Sequence, residues 1–78
     1  MKKQTIEIDQ EYISLGQLLK AADLISSGGM AKWYLSEHSV LINDEFDDRR
    51  GRKLYPGDHI QIDNEIEILI KTQNELNQ

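Results

Sequence analysis

Apolar positions change their spacing along the chain, and each change predicts an element. Residues 5–8 (TIEI) alternate polar and apolar side chains, the period-two signature of a short strand. Leu15, Leu18, Leu19 and Ala22 then recur at i, i+3, i+4 and i+7, which puts one apolar stripe on an amphipathic helix. Ser14 before that stripe and Gln17 three residues on have the form of a capping box, and the helix is expected to end near Asp23. Ser26-Ser27-Gly28-Gly29 breaks the pattern and offers capping groups to a second helix over about residues 29–37. Ala31, Tyr34, Leu35 and His38 share one stripe of that helix, while Lys32, Trp33 and Ser36 point elsewhere. Residues 40–43 have strand character and lead into a turn at Asn43-Asp44-Glu45. Residues 46–53 are polar and charged, an exposed loop or an edge. Pro56-Gly57-Asp58 is a tight-turn signal. Ile60 and Ile62, then Ile66, Ile68 and Ile70, alternate on either side of Asp63-Asn64 and predict a β-hairpin. Residues 71–78 are polar and are expected to fray.

The order β-α-α-β-β-β predicts an α+β fold, two helices packed on a small, mainly antiparallel sheet. With 78 residues, no internal repeat and no low-complexity linker, one domain over residues 1–78 is expected. An apolar share of 38% supports one modest core of a few kcal/mol, so nearly every apolar position must be used. A buried substrate pocket with its supporting shell is hard to fit into that volume. The absence of cysteine excludes a disulfide framework, thiolate metal sites and a thiol nucleophile. The lysines of MKKQTIEIDQ have no apolar run behind them, and no stretch approaches the roughly 20 apolar residues of a membrane helix. A cytoplasmic, monomeric protein with no membrane partner is therefore expected.

Net charge is −5, which taken as a sum argues against a nucleic-acid partner. The distribution changes that picture. From Asp58 onward the acids Asp58, Asp63, Glu65, Glu67 and Glu75 face the single base Lys71. Residues 20–57 are neutral, and four of their bases (Arg49, Arg50, Arg52 and Lys53) fall in one RRGRK run. A basic patch on an acidic body is thus compatible with the composition.

The run SLGQLLKAADLISSGGMAKWYLSEHSVLINDE, followed by LYPGDHI, resembles the S-four RNA-binding domain, named after ribosomal small-subunit protein four. That family combines an apolar LxxLL-like helix start, a Ser-containing turn, a second helix with Ala before a basic residue, a V-x-V-Asn-Gly strand and a Gly-Asp-x-Ile turn. The corresponding residues here are Leu15 to Leu19, Ser27, Ala31-Lys32, Val40-Leu41-Ile42-Asn43 and Gly57-Asp58-His59-Ile60. Each motif alone is weak; their unbroken order over about residues 14–62 is specific. With the WYLSEH and RRGRK segments the chain is most similar to the short stand-alone bacterial proteins of the YaaA type. The resemblance implies the alpha-L RNA-binding motif and a structured partner, ribosomal or transfer RNA, with the ribosome as a possible setting. Two departures bear on the site. The arginines usual in the turn and on the second helix are replaced by Gly28, Trp33 and Ser36, leaving only Lys32 basic there. The glycine usual after that helix is His38, and the Asn-Gly turn is Asn43-Asp44, positions where a positive φ is expected.

Arg49, Arg50, Arg52 and Lys53 are the leading candidates for phosphate contact, since guanidinium forks match phosphate oxygens. The alternative is a solvated loop paired with Asp47 and Asp48. Ser27 and Gly28 open the second helix, where free N–H groups suit a phosphate and Lys32 adds a charge one turn in; Ser27 can equally be a simple cap. Lys20 near the end of the first helix complements its dipole with or without RNA. Trp33 either stacks on a base or covers the edge of the core. Tyr34 and Tyr55 read as packing residues with surface hydroxyls. His38 and His59 lack a recognised carboxylate spacing, and the pairs Asp44/Glu45 and Asp47/Asp48 read as solvated, without the apolar pocket that separates paired pKa values. No catalytic residue, metal or cofactor is expected, and the chain is read as a non-enzymatic RNA binder. The alternative from another class is an adaptor that docks a basic partner on the acidic hairpin carrying Glu65 and Glu67.

Overall fold

The computed structural model describes residues 2–73. The elements in chain order are β1 (Lys2–Ile8), β2 (Ile13–Ser14), α1 (Leu15–Ala21), a 3₁₀ turn (Gly28–Met30), α2 (Ala31–Glu37), β3 (Val40–Ile42), β4 (Glu45–Phe46), β5 (Lys53–Leu54), β6 (His59–Ile62) and β7 (Ile66–Thr72). Five strands form a sheet in the order β1-β7-β6-β3-β4, and β2 pairs with β5 in a separate ribbon. The predicted α+β class is the one observed: two helices against a mainly antiparallel sheet.

The sheet works because its register stacks isoleucines in rows. Ile42, Ile60 and Ile68 are paired across β3, β6 and β7, and Val40, Ile62 and Ile66 form the next row. Because strand side chains alternate, these residues all face the helices, where Leu15, Leu18, Leu19, Ala31, Tyr34 and Leu35 meet them. Burying each such side chain contributes about 1.5–3 kcal/mol.

Both predicted hairpin turns use left-handed backbone at residues that tolerate it. Asn43 and Asp44 have φ of 51° and 71° and form a two-residue turn between paired Ile42 and Glu45, matched to strand twist. Asp63 and Asn64 have 53° and 57° in a three-residue connection between paired Ile62 and Ile66. Gly57 has φ of 97° in the turn closed by Asp58 N–H donating to Tyr55 O at 2.9 Å, a conformation that suits glycine after proline.

Three expectations need correction. The first strand begins at Lys2 rather than Thr5 and pairs in parallel with β7, from Lys2↔Ile66 to Ile8↔Thr72. Lys71 and Thr72, read as the start of a frayed tail, belong to that pairing; the rest of the tail beyond residue 73 lies outside the described residues. Residues 46–53 hold the expected edge and loop, running from edge strand β4 to β5, and β5 pairs with β2 through Ile13↔Leu54 and Ser14↔Lys53. His38 has φ of −127°, ordinary extended backbone that needs no glycine. It stacks on Tyr34 with centroids 4.0 Å apart and pairs with Asp63, whose other oxygen accepts from Ser39 N–H at 2.8 Å.

Candidate nucleic-acid interface

The basic loop is positioned by the amino end of α1. The first N–H groups of any helix lack partners within it. Here the Ser14 hydroxyl accepts from Gln17 N–H at 3.2 Å, and Gln17 Oε1 accepts from Ser14 N–H at 3.1 Å, completing the capping box. The next two N–H groups are satisfied by the loop itself: Leu15 N–H donates to Arg52 O at 2.8 Å and Gly16 N–H to Arg50 O at 2.9 Å. The docking is close enough that a Cβ at residue 16 would touch both partners, 3.4 Å from Arg50 O and 3.5 Å from the Ala31 Cβ, which are ordinary contacts.

Asp47 organises the rest of the loop. One carboxylate oxygen accepts from Arg49 N–H at 2.9 Å and Arg49 Nε at 3.1 Å; the other accepts from Arg49 Nη2 and Arg52 Nη1, both at 2.8 Å. The Asp47 side chain is 7% exposed, yet its partners lie at the surface, Arg49 at 71% and Arg52 at 31%. Asp47 is therefore shielded by the two guanidiniums. Hydrogen bonds from the Arg49 side chain, with help from its N–H and from Arg52, hold this carboxyl far below the usual carboxylate range against the opposing effect of burial. The same pair raises the Arg49 pKa.

The predicted candidates consequently divide. Arg49 and Arg52 are committed to Asp47, as the solvated-loop alternative has it in part, though with one buried carboxylate and without Asp48 among these ion pairs. Arg50 is not part of this hub. It lines a cleft of about 400 Å³ together with Ser14, Gly16, Gln17, Lys20, Gly28 and Ala31, and among the described residues it forms no ion pair. The structure thus brings Lys20, Gly28 and Arg50 to one concave surface at the junction of α1, the 3₁₀ turn and the loop. Lys53 lies over the Tyr12 ring, 4.9 Å from its centroid. Lys32 lines a smaller depression with Leu35, Ser36 and Asp48.

Ser27 precedes the 3₁₀ turn without a side-chain capping bond, and α2 follows Met30, which supplies none; the expected cap at this break is absent. Ser26 Oγ bonds Met30 Sδ instead, at 3.1 Å. Trp33 is 55% exposed and is not one of the buried core residues. Tyr34 is buried, and that burial, with Asp63 and Glu65 nearby, raises its hydroxyl pKa. Tyr55 is half-exposed.

The histidines do find carboxylates, across the fold rather than along the chain: His38 meets Asp63, and His59 Nε2 meets Glu67 Oε1 at 2.7 Å. The His38 bond, ahead of the Ser39 N–H, lowers the Asp63 pKa. Glu67 is thereby engaged, and Glu65 lies exposed at the hairpin turn with its carbonyl accepting from Lys2 N–H at 2.8 Å. Asn43 and Asp58, motif residues of the resemblance, hold structure: Asn43 Nδ2 donates to Asp58 Oδ1 at 3.0 Å, and Asn43 Oδ1 accepts from His59 N–H at 3.0 Å.

Two features go beyond the sequence pattern. The pairing of Asp47 with the arginines is one of the expected alternatives, but its burial beneath them is not. Tyr12 carries no signal in the sequence; only the fold places it beside Lys53 and Tyr55.

A small mixed, mainly antiparallel sheet with two helices packed on it is consistent with the α+β fold of the S4 domain. The S4 domain model matches residues 6–71, and the chain belongs to that family. The chain is also similar to the Probable ribosome maturation protein RlbA of Bacillus subtilis (strain 168), with 69% identity over 58 residues, which cover 74% of this chain and 82% of that protein.

Proposed function

We propose that this protein is a non-catalytic RNA-binding module that recognises structured ribosomal RNA during maturation of the ribosome, in the cytoplasm. The observation that carries this reading is the convergence of Lys20 and Arg50 on one cleft beside Gly28, with Arg50 free of carboxylates among the described residues. A phosphate entering there meets two cations already in place, while Asp47 holds the neighbouring arginines at the rim. Lys53, Lys32 and Trp33 extend the surface, and Ser27 borders it. Membership of the S4 family and the similarity to a ribosome maturation protein support the same conclusion. No helix among the described residues is long and apolar enough to cross a membrane.

The test is binding of the full chain to purified ribosomal RNA across a salt series. If Lys20, Lys32, Arg50 and Lys53 each neutralise a phosphate, log K falls with log salt at a slope on the order of −3. The double variant Lys20→Ala, Arg50→Ala should lose about two phosphates' share of that slope and leave the melting temperature unchanged. Binding that ignores salt, or a double variant that binds as tightly as the native chain, rejects the assignment. Association with ribosomal particles that survives nuclease treatment would point to a protein adaptor instead.

A further inference from the structure

A second cleft adjoins the first and shares two of its residues. It measures about 490 Å³ and is lined by Gln10, Tyr12, Ile13, Gln17, Lys20 and Ala21. Tyr12 and Lys20 line it, while Tyr55 and Lys53 lie outside that lining and pack on Tyr12. Tyr12 is 41% exposed, and Tyr55 lies tilted against it with centroids 5.9 Å apart. Lys53 Nζ sits over the Tyr12 ring. Neither tyrosine belongs to the buried core, and among the described residues neither hydroxyl has a hydrogen-bond partner. Two exposed aromatic rings next to two lysines are the combination that accepts single-stranded nucleic acid: a π-face for the base and ammonium groups for the backbone.

We propose that this cleft receives one unpaired nucleotide of the bound RNA, its base stacked on Tyr12. The inference rests on the RNA-binding reading and adds the kind of RNA element recognised: a base displaced from pairing, beside a helical segment whose phosphates lie on Lys20 and Arg50.

The polar groups of the cleft fit this occupant. Gln17 Oε1 is occupied by Ser14 N–H, so the amide presents its NH₂ outward as a donor. Lys20 is also a donor and borders both clefts. Donors are what the carbonyl and phosphate oxygens of a nucleotide require. Ile13 and Ala21 supply apolar surface for the base edge. Lys20 at the shared boundary fits the phosphate that joins a paired segment to the displaced nucleotide.

The experiment compares two RNAs with the full chain at low salt: a blunt duplex, and the same duplex with one bulged uridine. Affinity is followed by fluorescence anisotropy and contacts by amide NMR shifts. The bulged duplex should bind at least about fivefold more tightly, the lower end of what one base–aromatic stack contributes. Tyr12 and Gln17 resonances should move with the bulged duplex and stay in place with the blunt one. Tyr12→Phe should keep the preference, and Tyr12→Leu should lose it while retaining affinity for the blunt duplex and an unchanged melting temperature. Equal affinity of the native chain for the two duplexes overturns the inference and leaves RNA binding standing, a comparison that needs no variant to fold. A preference that persists in Tyr12→Leu overturns it as well. Failure of both duplexes to bind removes the RNA-binding reading and this inference with it.

Discussion

At the scale of single residues, Asp47 decides what the RRGRK run can do. Four cations within five residues repel one another, and one carboxylate absorbs two of them through three hydrogen bonds from their guanidiniums. That leaves Arg50 and Lys53 to face outward. Replacing Asp47 by Asn should cost about 1–2 kcal/mol at neutral pH, the range for hydrogen bonds to charged groups lowered by the exposure of the arginines. The pH dependence has a definite sign. Asp47 and Asp63 are both lowered in the folded protein, so their contribution is complete above the unfolded value of about 4 and is lost as pH falls through the folded values. Melting curves followed by circular dichroism from neutral to strongly acid pH should show the native chain losing stability below about pH 4. In Asp47→Asn that acid slope should be shallower. An unchanged slope would assign acid sensitivity to other carboxylates.

At the scale of elements, α1 and the basic loop form one unit. The helix is seven residues long, too short to persist on propensity alone, and its amino end is completed by the Ser14 hydroxyl and by the carbonyls of Arg50 and Arg52. Ser14→Ala should therefore cost about 1 kcal/mol, and hydrogen exchange should quicken at Gln17. At Gly16, alanine makes only ordinary contacts with Arg50 O and the Ala31 Cβ and should be accommodated. Valine branches at that point and should push the loop off the helix, which would appear as weakened RNA binding and shifted amide resonances at Arg50 and Arg52. Wild-type resonances in the valine variant would show that the loop docks by other means.

At the scale of the whole molecule, the parallel pairing of β1 with β7 closes the chain on itself. The two strands are sixty-odd positions apart in sequence, as in Ile6↔Ile70, so this contact carries a large loop-closure entropy. Buried Ile6 and Ile8 offset it through the core. Truncating a buried isoleucine to alanine costs about 2–5 kcal/mol, comparable to the whole stability of a small domain. The double variant Ile6→Ala, Ile8→Ala should lose its cooperative thermal transition, although neither residue lies in either cleft. A sharp transition in that variant would place the stabilising weight in the antiparallel strands alone.

The sequence by itself determined the local frame. The capping box at Ser14 and Gln17, the apolar stripes of both helices, the paired left-handed residues at Asn43-Asp44 and Asp63-Asn64, and the Pro56-Gly57 turn all follow from interactions within a few residues. Those signals survive in any context and were legible. The S4 motif order was legible for the same reason, because Asn43 and Asp58 act at fixed turns. Only the tertiary structure decided the partnerships that join distant segments: β1 beside β7, β2 beside β5, His38 with Asp63, and the loop carbonyls on α1. It also sorted the cations, tying Arg49 and Arg52 to Asp47, placing Arg50 and Lys20 on one cleft, and bringing Tyr12 beside Lys53 and Tyr55. Charge and aromatic content can be read from a sequence; direction cannot, because a side chain's direction is set by whichever surface the fold places beside it.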